Sequence, residues 1–188
     1  MNWAHGLICS SGWWARTVER KLLPWGLAGV GLGDEVLEIG PGFGATTRVL
    51  ARRPCALTAV ELSEAYCERL RRTLDRDVGV VQGSATEMPF PDDRFSGVVC
   101  FTMLHHVPSV ALQAQLMREV CRVLRPGGVF AGTDSLGTAR VFKLLHVGDT
   151  LVPVPPEGLP ARLEEAGLVA PVVGTAGSAF RFRALKPA

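Results

Sequence analysis

From Glu35 onward the chain alternates short apolar runs with stretches of helical periodicity. The runs at 35–39, 56–61, 78–82, 96–101 and 128–133 predict five strands. Nearly every position in these runs is apolar, which is typical of a parallel sheet covered on both faces. Apolar residues at helical spacing after Ser63 and after Ser109 predict covering helices, with the two serines as N-caps.

The end of the chain follows a different pattern. A helix is predicted over 156–166, followed by two β-type runs at 168–174 and 179–185. The turn between these runs is too short for a crossover helix, so they should form an antiparallel hairpin. The predicted fold class is therefore α/β, a doubly wound, seven-stranded, mostly parallel sheet with a C-terminal antiparallel hairpin. We expect one domain over 1–188, with an N-terminal helical cap at 1–33 and a Rossmann-like core at 34–188.

Composition narrows the class of protein. The formal net charge of +2 is too small to indicate a nucleic-acid footprint or a polybasic membrane patch. Five cysteines without a CxxC pair fit neither a disulfide framework nor a zinc site, so we expect no metal and free thiols in a reducing cytoplasm. The stretch 22–32 is too short to span a bilayer, and 1–14 lacks the pattern of a secretory signal. These observations predict a cytoplasmic protein.

The segment Val-Leu-Glu-Ile-Gly-Pro-Gly-Phe-Gly-Ala-Thr at 36–46 is the most informative part of the sequence. An apolar strand runs into three alternate glycines, which permit positive φ and let a ligand approach the backbone. The helix that follows offers unpaired N–H donors at its start. The segment predicts a nucleotide-type ligand, but it also satisfies the G-x-G-x-x-G/A fingerprint of dinucleotide-binding proteins.

Two carboxylates refine the identity of that ligand. Glu61 ends the second predicted strand, where a carboxylate can accept both hydroxyl protons of a ribose. Glu38 lies two residues before the first glycine, where it would repel a pyrophosphate and attract an ammonium or sulfonium group. S-adenosylmethionine carries both of these cationic groups.

Five segments together resemble the class I S-adenosylmethionine-dependent methyltransferases, specifically the small-molecule branch. They are VLEIGPGFG at 36–44, VEL at 60–62, GSATEMPFPDDRF at 83–95, LHHV at 104–107 and RVLRPGGVF at 122–130. The resemblance implies the Rossmann-like methyltransferase fold and S-adenosyl-L-methionine as cofactor.

The resemblance also implies roles for single residues. The backbone of Gly40, Gly42 and Gly44 would contact the methionine portion of the cofactor. Glu38 would hold its amino group, Glu61 its ribose diol, and Leu62 would lie against the adenine. The family usually has an acid beside Ala after the third strand, and here Ser84 precedes Ala85 at that place; Ser96 likewise stands where the family commonly has Asp.

Methyl transfer from a sulfonium is an in-line displacement that requires a water-excluded approach path. His105 and His106 follow the fourth strand at the edge where open α/β sheets place their sites, so they are candidate bases or residues of the pocket wall. All four tryptophans lie in the first 25 residues. This segment either folds over the pocket as a cover or docks on the sheet as a helix. The segment 136–147 is a second apolar cover. The predicted substrate pocket contains Trp13, Trp14, Met103, Leu104, Phe142 and His146.

The predicted activity is methyl transfer to a small, apolar or aromatic acceptor by a monomer or homodimer, without nucleic-acid partners. Two alternatives stay open. A non-catalytic S-adenosylmethionine-binding or interaction subunit would share the fold. An NAD-dependent oxidoreductase would have to act without a Tyr-x-x-x-Lys motif or a separate substrate domain.

Overall fold

The computed structural model describes residues 3–75, 77–137 and 147–188. One mixed sheet of seven strands has the order β3-β2-β1-β4-β5-β7-β6. The strands are β1 (Glu35–Ile39), β2 (Ala56–Glu61), β3 (Gly79–Gln82), β4 (Phe95–Phe101), β5 (Leu124–Ser135), β6 (Val169–Ala176) and β7 (Ala179–Leu185). β1 to β5 pair in parallel, and β7 pairs antiparallel with both β5 and β6. The predicted fold class, including the terminal hairpin, is confirmed.

Helices cover the sheet on both faces. They are α1 (Trp3–Cys9), α2 (Gly12–Thr17), a π-helical turn (Val18–Leu22), α3 (Leu23–Gly26), α4 (Ala45–Leu50), α5 (Glu64–Thr73), a 3-10 turn (Leu104–His106), α6 (Val110–Val123) and α7 (Leu159–Glu165). Ser109 caps α6 by accepting a hydrogen bond from the Leu112 N–H, whereas the Ser63 side chain makes no such bond to α5. None of the described helices is long and apolar enough to cross a bilayer.

Two apolar clusters hold the layers together. On one face, Leu50 of α4 and Val18 and Leu23 of the N-terminal segment pack against strand residues such as Val36. On the other face, Leu116 of α6 and Leu163 of α7 belong to the larger cluster. Because both faces are covered, the central strands are buried at nearly every position, as their continuous apolar composition predicts.

The outer strand β6 is irregular. Its register with β7 shifts between Val169 and Val172, where Ala170 has a φ of 50° and Pro171 supplies no N–H. The side chain of Val172 is 51% exposed on this edge. The hairpin therefore ends the sheet with an interrupted row of backbone donors.

Candidate functional site

The carboxyl ends of β1, β2, β4 and β5 meet at one edge of the sheet, and the predicted cofactor residues lie there. Gly40, Gly42 and Gly44 follow β1 with φ values of 65°, 52° and 75°. L-residues with a Cβ rarely adopt this left-handed conformation, so the turn requires glycine. A Cβ at Gly44 would lie 2.8 Å from Leu70 Cδ2, and one at Gly40 would lie 2.4 Å from Met103 Cγ.

Gly42 differs from its two neighbours in having open space beside it. A Cβ built on Gly42 would meet no heavy atom within 4 Å. The Gly42 N–H donates to Glu61 Oε2 at 3.1 Å, and the Ser63 N–H donates to Glu61 Oε1 at 2.9 Å. The structure thus brings the glycine loop and the strand-end carboxylate of β2 into direct contact. The middle of the loop is the part that can accommodate a ligand.

Glu38 is a buried carboxyl group with an incomplete set of partners. Its side chain is 1% exposed, and the Thr46 hydroxyl donates to Oε1. Within the described part of the chain, Oε2 has no hydrogen-bond partner. The pKa of Glu38 is raised to about 7, chiefly by burial and in part by the neighbouring Glu61 charge, against the hydrogen bond from Thr46, which favours the ionised form. A cation beside Oε2 would compensate this buried group.

The predicted adenine side contains Leu62, Ser84 and Ala85. Leu62 is 72% exposed, and Ala85 packs against the larger core cluster. The Ser84 hydroxyl accepts from the Thr86 N–H at 3.2 Å and lies 2.8 Å from the Thr86 hydroxyl. Ser84 therefore stabilises its own turn. A role of Ser84 in binding the adenine ring stays a prediction.

The candidate bases follow β4 in the 3-10 turn. His105 is 1% exposed, and its Nδ1 pairs with Asp134 Oδ1. The His105 backbone N–H donates to Asp134 Oδ2 at 3.0 Å, and the Ser135 N–H donates to Oδ1 at 2.7 Å. The His106 ring lies 4.2 Å from the His105 ring, and its Nδ1 is 4.0 Å from Asp149 Oδ2. Asp134 thus fixes both the backbone and the ring of His105.

The predicted pocket residues have different environments. Met103 packs on Gly40, and Leu104 is fully buried in the larger core cluster. Trp14 is half-buried against the other cluster, whereas Trp13 is 63% exposed. Phe142 and His146 lie outside the described residues. Their place in the pocket stays a prediction.

Several polar residues that support the site were missed by sequence reasoning. Asp134 could have been found, because it comes directly after the predicted fifth strand, at the edge of the sheet where Glu61 ends the second. Gln113 is fully buried and donates to the carbonyls of Leu104, at 3.1 Å, and Val152, at 2.9 Å. Arg122 of α6 donates to the carbonyls of Met88 and Phe90 in the loop after β3. These contacts depend on tertiary packing and leave no local sequence signal.

The cysteine side chains are neither cross-linked nor clustered with other potential metal ligands in the described part of the chain. All five cysteines are free; Cys67 and Cys100 are buried, and the other three are partly exposed. Burial raises the pKa of Cys100 well above its usual value. Among the described residues, no group of His, Cys, Asp or Glu side chains could hold a metal ion.

Comparison with known proteins is consistent with this geometry. A fatty-acid O-methyltransferase of Mycolicibacterium smegmatis is 37% identical over 108 residues, which cover 55% of this chain and 38% of that protein. A 27-O-demethylrifamycin SV methyltransferase of Amycolatopsis mediterranei is 32% identical over 150 residues, covering 72% of this chain and 54% of that protein. The chain thus spans about half or less of the length of these relatives.

A solved structure shares the fold over almost the whole chain. The PH0226 protein from Pyrococcus horikoshii superimposes with a TM-score of 0.78 at 16% identity, covering 94% of this chain and 92% of that one. The sequence profile of the family described as "Methyltransferase domain" matches residues 37–132, which is half of the chain. This segment contains the glycine loop, Glu38, Glu61 and the histidine pair. The chain belongs to the class I S-adenosylmethionine-dependent methyltransferases.

Proposed function

We propose that this chain transfers a methyl group from S-adenosylmethionine to a small, apolar or aromatic acceptor. The observation that carries the proposal is the buried Glu38 carboxyl, whose Oε2 has no partner among the described residues and which precedes a glycine loop open at Gly42. A buried carboxylate in this position stabilises a cationic ligand and disfavours a diphosphate.

The residues present fit the cofactor. The amino group would lie at Glu38 Oε2, and the methionine portion would lie along Gly40, Gly42 and Gly44. Each oxygen of the Glu61 carboxylate accepts one backbone N–H. A carboxylate has about four acceptor sites, so Glu61 can also accept from the two ribose hydroxyls. Leu62 would pack against the adenine, with Ser84 and Ala85 on the other side of the ring.

When bound, the cofactor supplies a methyl group on a sulfonium centre, which an acceptor atom displaces in line. Met103 packs on Gly40 and would form one wall of the approach path. Where the acceptor atom carries a proton, His106 or His105 would take it. Asp134 would hold the proton of His105 on Nδ1, so that Nε2 is the basic nitrogen of that ring.

Covering elements would exclude water from this path. A Cβ built on Gly6 of α1 would lie 3.5 Å from Phe43 Cζ, so α1 packs on the glycine loop. The Phe43 and Tyr66 rings contact each other beside it, with centroids 5.1 Å apart and planes inclined by 57°. Residues 1–33 would thus act as a cap within the single domain, with the half-buried Trp14 on its inner side and the exposed Trp13 on its outer side. Phe142 and His146 would belong to a second cover. An apolar acceptor is supported by the relatives, of which one is named for a fatty acid.

Calorimetry with S-adenosylhomocysteine, and separately with NAD, tests the cofactor assignment. Wild-type protein should bind S-adenosylhomocysteine and not NAD. Glu38→Gln should weaken that binding, and wild-type affinity should rise between pH 6 and 8 as Glu38 ionises, while the variant lacks this rise. Binding of NAD alone would overturn the proposal.

Radiolabelled methyl transfer to a panel of fatty acids, phenols and amines tests the acceptor class. His106→Ala and His105→Ala should slow turnover while S-adenosylhomocysteine affinity is retained. Preference for small, highly polar acceptors would contradict the predicted pocket. Tight cofactor binding with an approach path that is closed to every acceptor would favour the non-catalytic alternative.

A further inference from the structure

Charge is divided unevenly between the two faces of the sheet, although the net charge of the chain is only +2. The π-helical turn after α2 packs on α4, and Arg48 of α4 reaches the Thr73 hydroxyl of α5 at 3.4 Å. The N-terminal helices, α4 and α5 therefore form one continuous surface. The opposite face carries α6 and α7.

The helical segments 12–26, 45–53 and 64–73 of the first surface carry nine basic and three acidic side chains, all exposed. The basic residues are Arg16, Arg20, Lys21, Arg48, Arg52, Arg53, Arg69, Arg71 and Arg72, and the acidic residues are Glu19, Glu64 and Glu68. Helices α6 and α7 carry three basic and three acidic residues. These three segments thus carry an excess of six positive charges, whereas the helices of the opposite face carry none.

Large apolar side chains are exposed at one end of this basic surface. Leu7 of α1 is 62% exposed, and Trp13 of α2 is 63% exposed. Trp13 points away from the core, whereas its neighbour Trp14 packs against it. Trp13 and Arg16 are three residues apart in α2 and therefore lie on the same side of this helix. Exposed tryptophan and leucine beside arginine and lysine are typical of segments that lie in a membrane interface.

We propose that α1, α2 and the following π-helical turn form a docking surface for an anionic lipid bilayer. Leu7 and Trp13 enter the interface, and Arg16, Arg20 and Lys21 contact the headgroups. A nucleic acid would match the charge, but it would leave the aliphatic side chain of Leu7 in water. An acidic lipid surface satisfies both the charge and the apolar side chains.

The docking surface lies next to the candidate site, which would favour the delivery of an apolar substrate from the bilayer. Helix α1 packs on Phe43 of the glycine loop, so the docking surface borders the candidate site. A bilayer held there would present lipid-dissolved molecules beside the carboxyl edge of the sheet. The docking itself does not depend on methyl transfer.

Sedimentation with vesicles tests the proposal on the full chain. Vesicles of phosphatidylcholine and phosphatidylglycerol at 7:3 should bind the protein at low salt, and pure phosphatidylcholine vesicles should bind it far more weakly. Arg20→Gln should weaken binding about fivefold, because each basic residue near an anionic surface contributes about 1 kcal/mol. The triple variant R16Q/R20Q/K21Q should lose on the order of a hundredfold. Trp13→Ala should weaken binding without changing its salt dependence.

Arg118→Gln is the matched control, since Arg118 is an exposed arginine of α6 on the opposite face. It should leave vesicle binding unchanged. Circular dichroism and S-adenosylhomocysteine calorimetry report on folding and on the cofactor site separately, so a failed methyltransferase proposal would not be mistaken for failed docking. Absent vesicle binding, equal losses in R20Q and R118Q, or binding to an RNA duplex in place of vesicles would each overturn the proposal.

Discussion

Replacing Glu38 with Gln should stabilise the ligand-free protein at neutral pH while weakening its cofactor site. Burial raises the pKa of Glu38 from 4.5 to about 7. A group whose pKa is raised on folding stabilises the native state fully below its unfolded pKa, and that contribution is lost as the pH rises through the folded value. Between pH 4.5 and 7 the wild-type protein therefore loses stability at this residue, by about 3 kcal/mol in total.

Urea denaturation of wild type and Glu38→Gln from pH 4.5 to 8 measures this loss. The variant keeps the shape of the side chain and carries no charge, so the difference in unfolding free energy should shift in its favour by about 3 kcal/mol across the range. Contributions from other titrating groups cancel in that difference. Thr46→Val should steepen the wild-type trend, because the Thr46 hydrogen bond favours the ionised form.

A difference between wild type and Glu38→Gln that stays constant over this pH range would refute the reasoning. So would a difference that moves in favour of the wild-type protein as the pH rises. In either case the native carboxyl would be ionised without cost, and the argument for a missing cation beside Oε2 would fail.

Four further variants separate effects on stability from effects on binding. Gly42→Ala should cost about 1 kcal/mol for its positive φ and should strongly weaken S-adenosylhomocysteine binding, because its methyl group enters the open side of the loop. Gly44→Ala should lose more stability than Gly42→Ala, because its Cβ also meets Leu70; urea unfolding and calorimetry on both variants check the pair. Asp134→Asn should cost about 2 kcal/mol in urea unfolding by weakening charge-assisted bonds, and nitrogen NMR should show His105 losing its Nδ1–H preference. Arg122→Ala should weaken S-adenosylhomocysteine binding severalfold by releasing the loop that carries Ser84.

For each of these variants, one outcome would contradict the prediction. Equal stability losses for Gly42→Ala and Gly44→Ala would remove the argument from crowding at Leu70. Unchanged binding in Gly42→Ala would place the ligand elsewhere. A His105 ring that keeps its tautomer in Asp134→Asn would show that Asp134 does not fix it, and Arg122→Ala with wild-type affinity would show that the loop needs no support from α6.

The alternation of strands and helices could be predicted, because a strand that is buried on both faces is apolar at nearly every position. Strand β5 is longer than predicted: it begins at Leu124 instead of 128, since pairing with Phe95 extends it through a Pro-Gly-Gly sequence that locally favours a turn. The α7 helix begins at Leu159, three residues after the predicted 156, with Pro160 in its first turn. In both places tertiary contacts, which no local pattern records, set the boundary.

In the candidate site, too, some residues could be predicted from the sequence and others could not. The glycine loop, Glu38 and Glu61 were predictable, because backbone geometry and charge constrain the residue type at each position. Gln113 and Arg122 were not, because they act on loops that are far away in sequence. The basic face could not be predicted from the net charge either, because acidic residues elsewhere in the chain offset its positive charges.

The interrupted strand β6 bears on how the molecule behaves at high concentration. An unbroken outer strand would offer a template on which a second molecule could add its own strand and start an ordered aggregate. Pro171 and the displaced register at Ala170 interrupt that template near the start of the strand. The two exposed valines of this edge, Val169 and Val172, flank the interruption, where strand addition is least favourable.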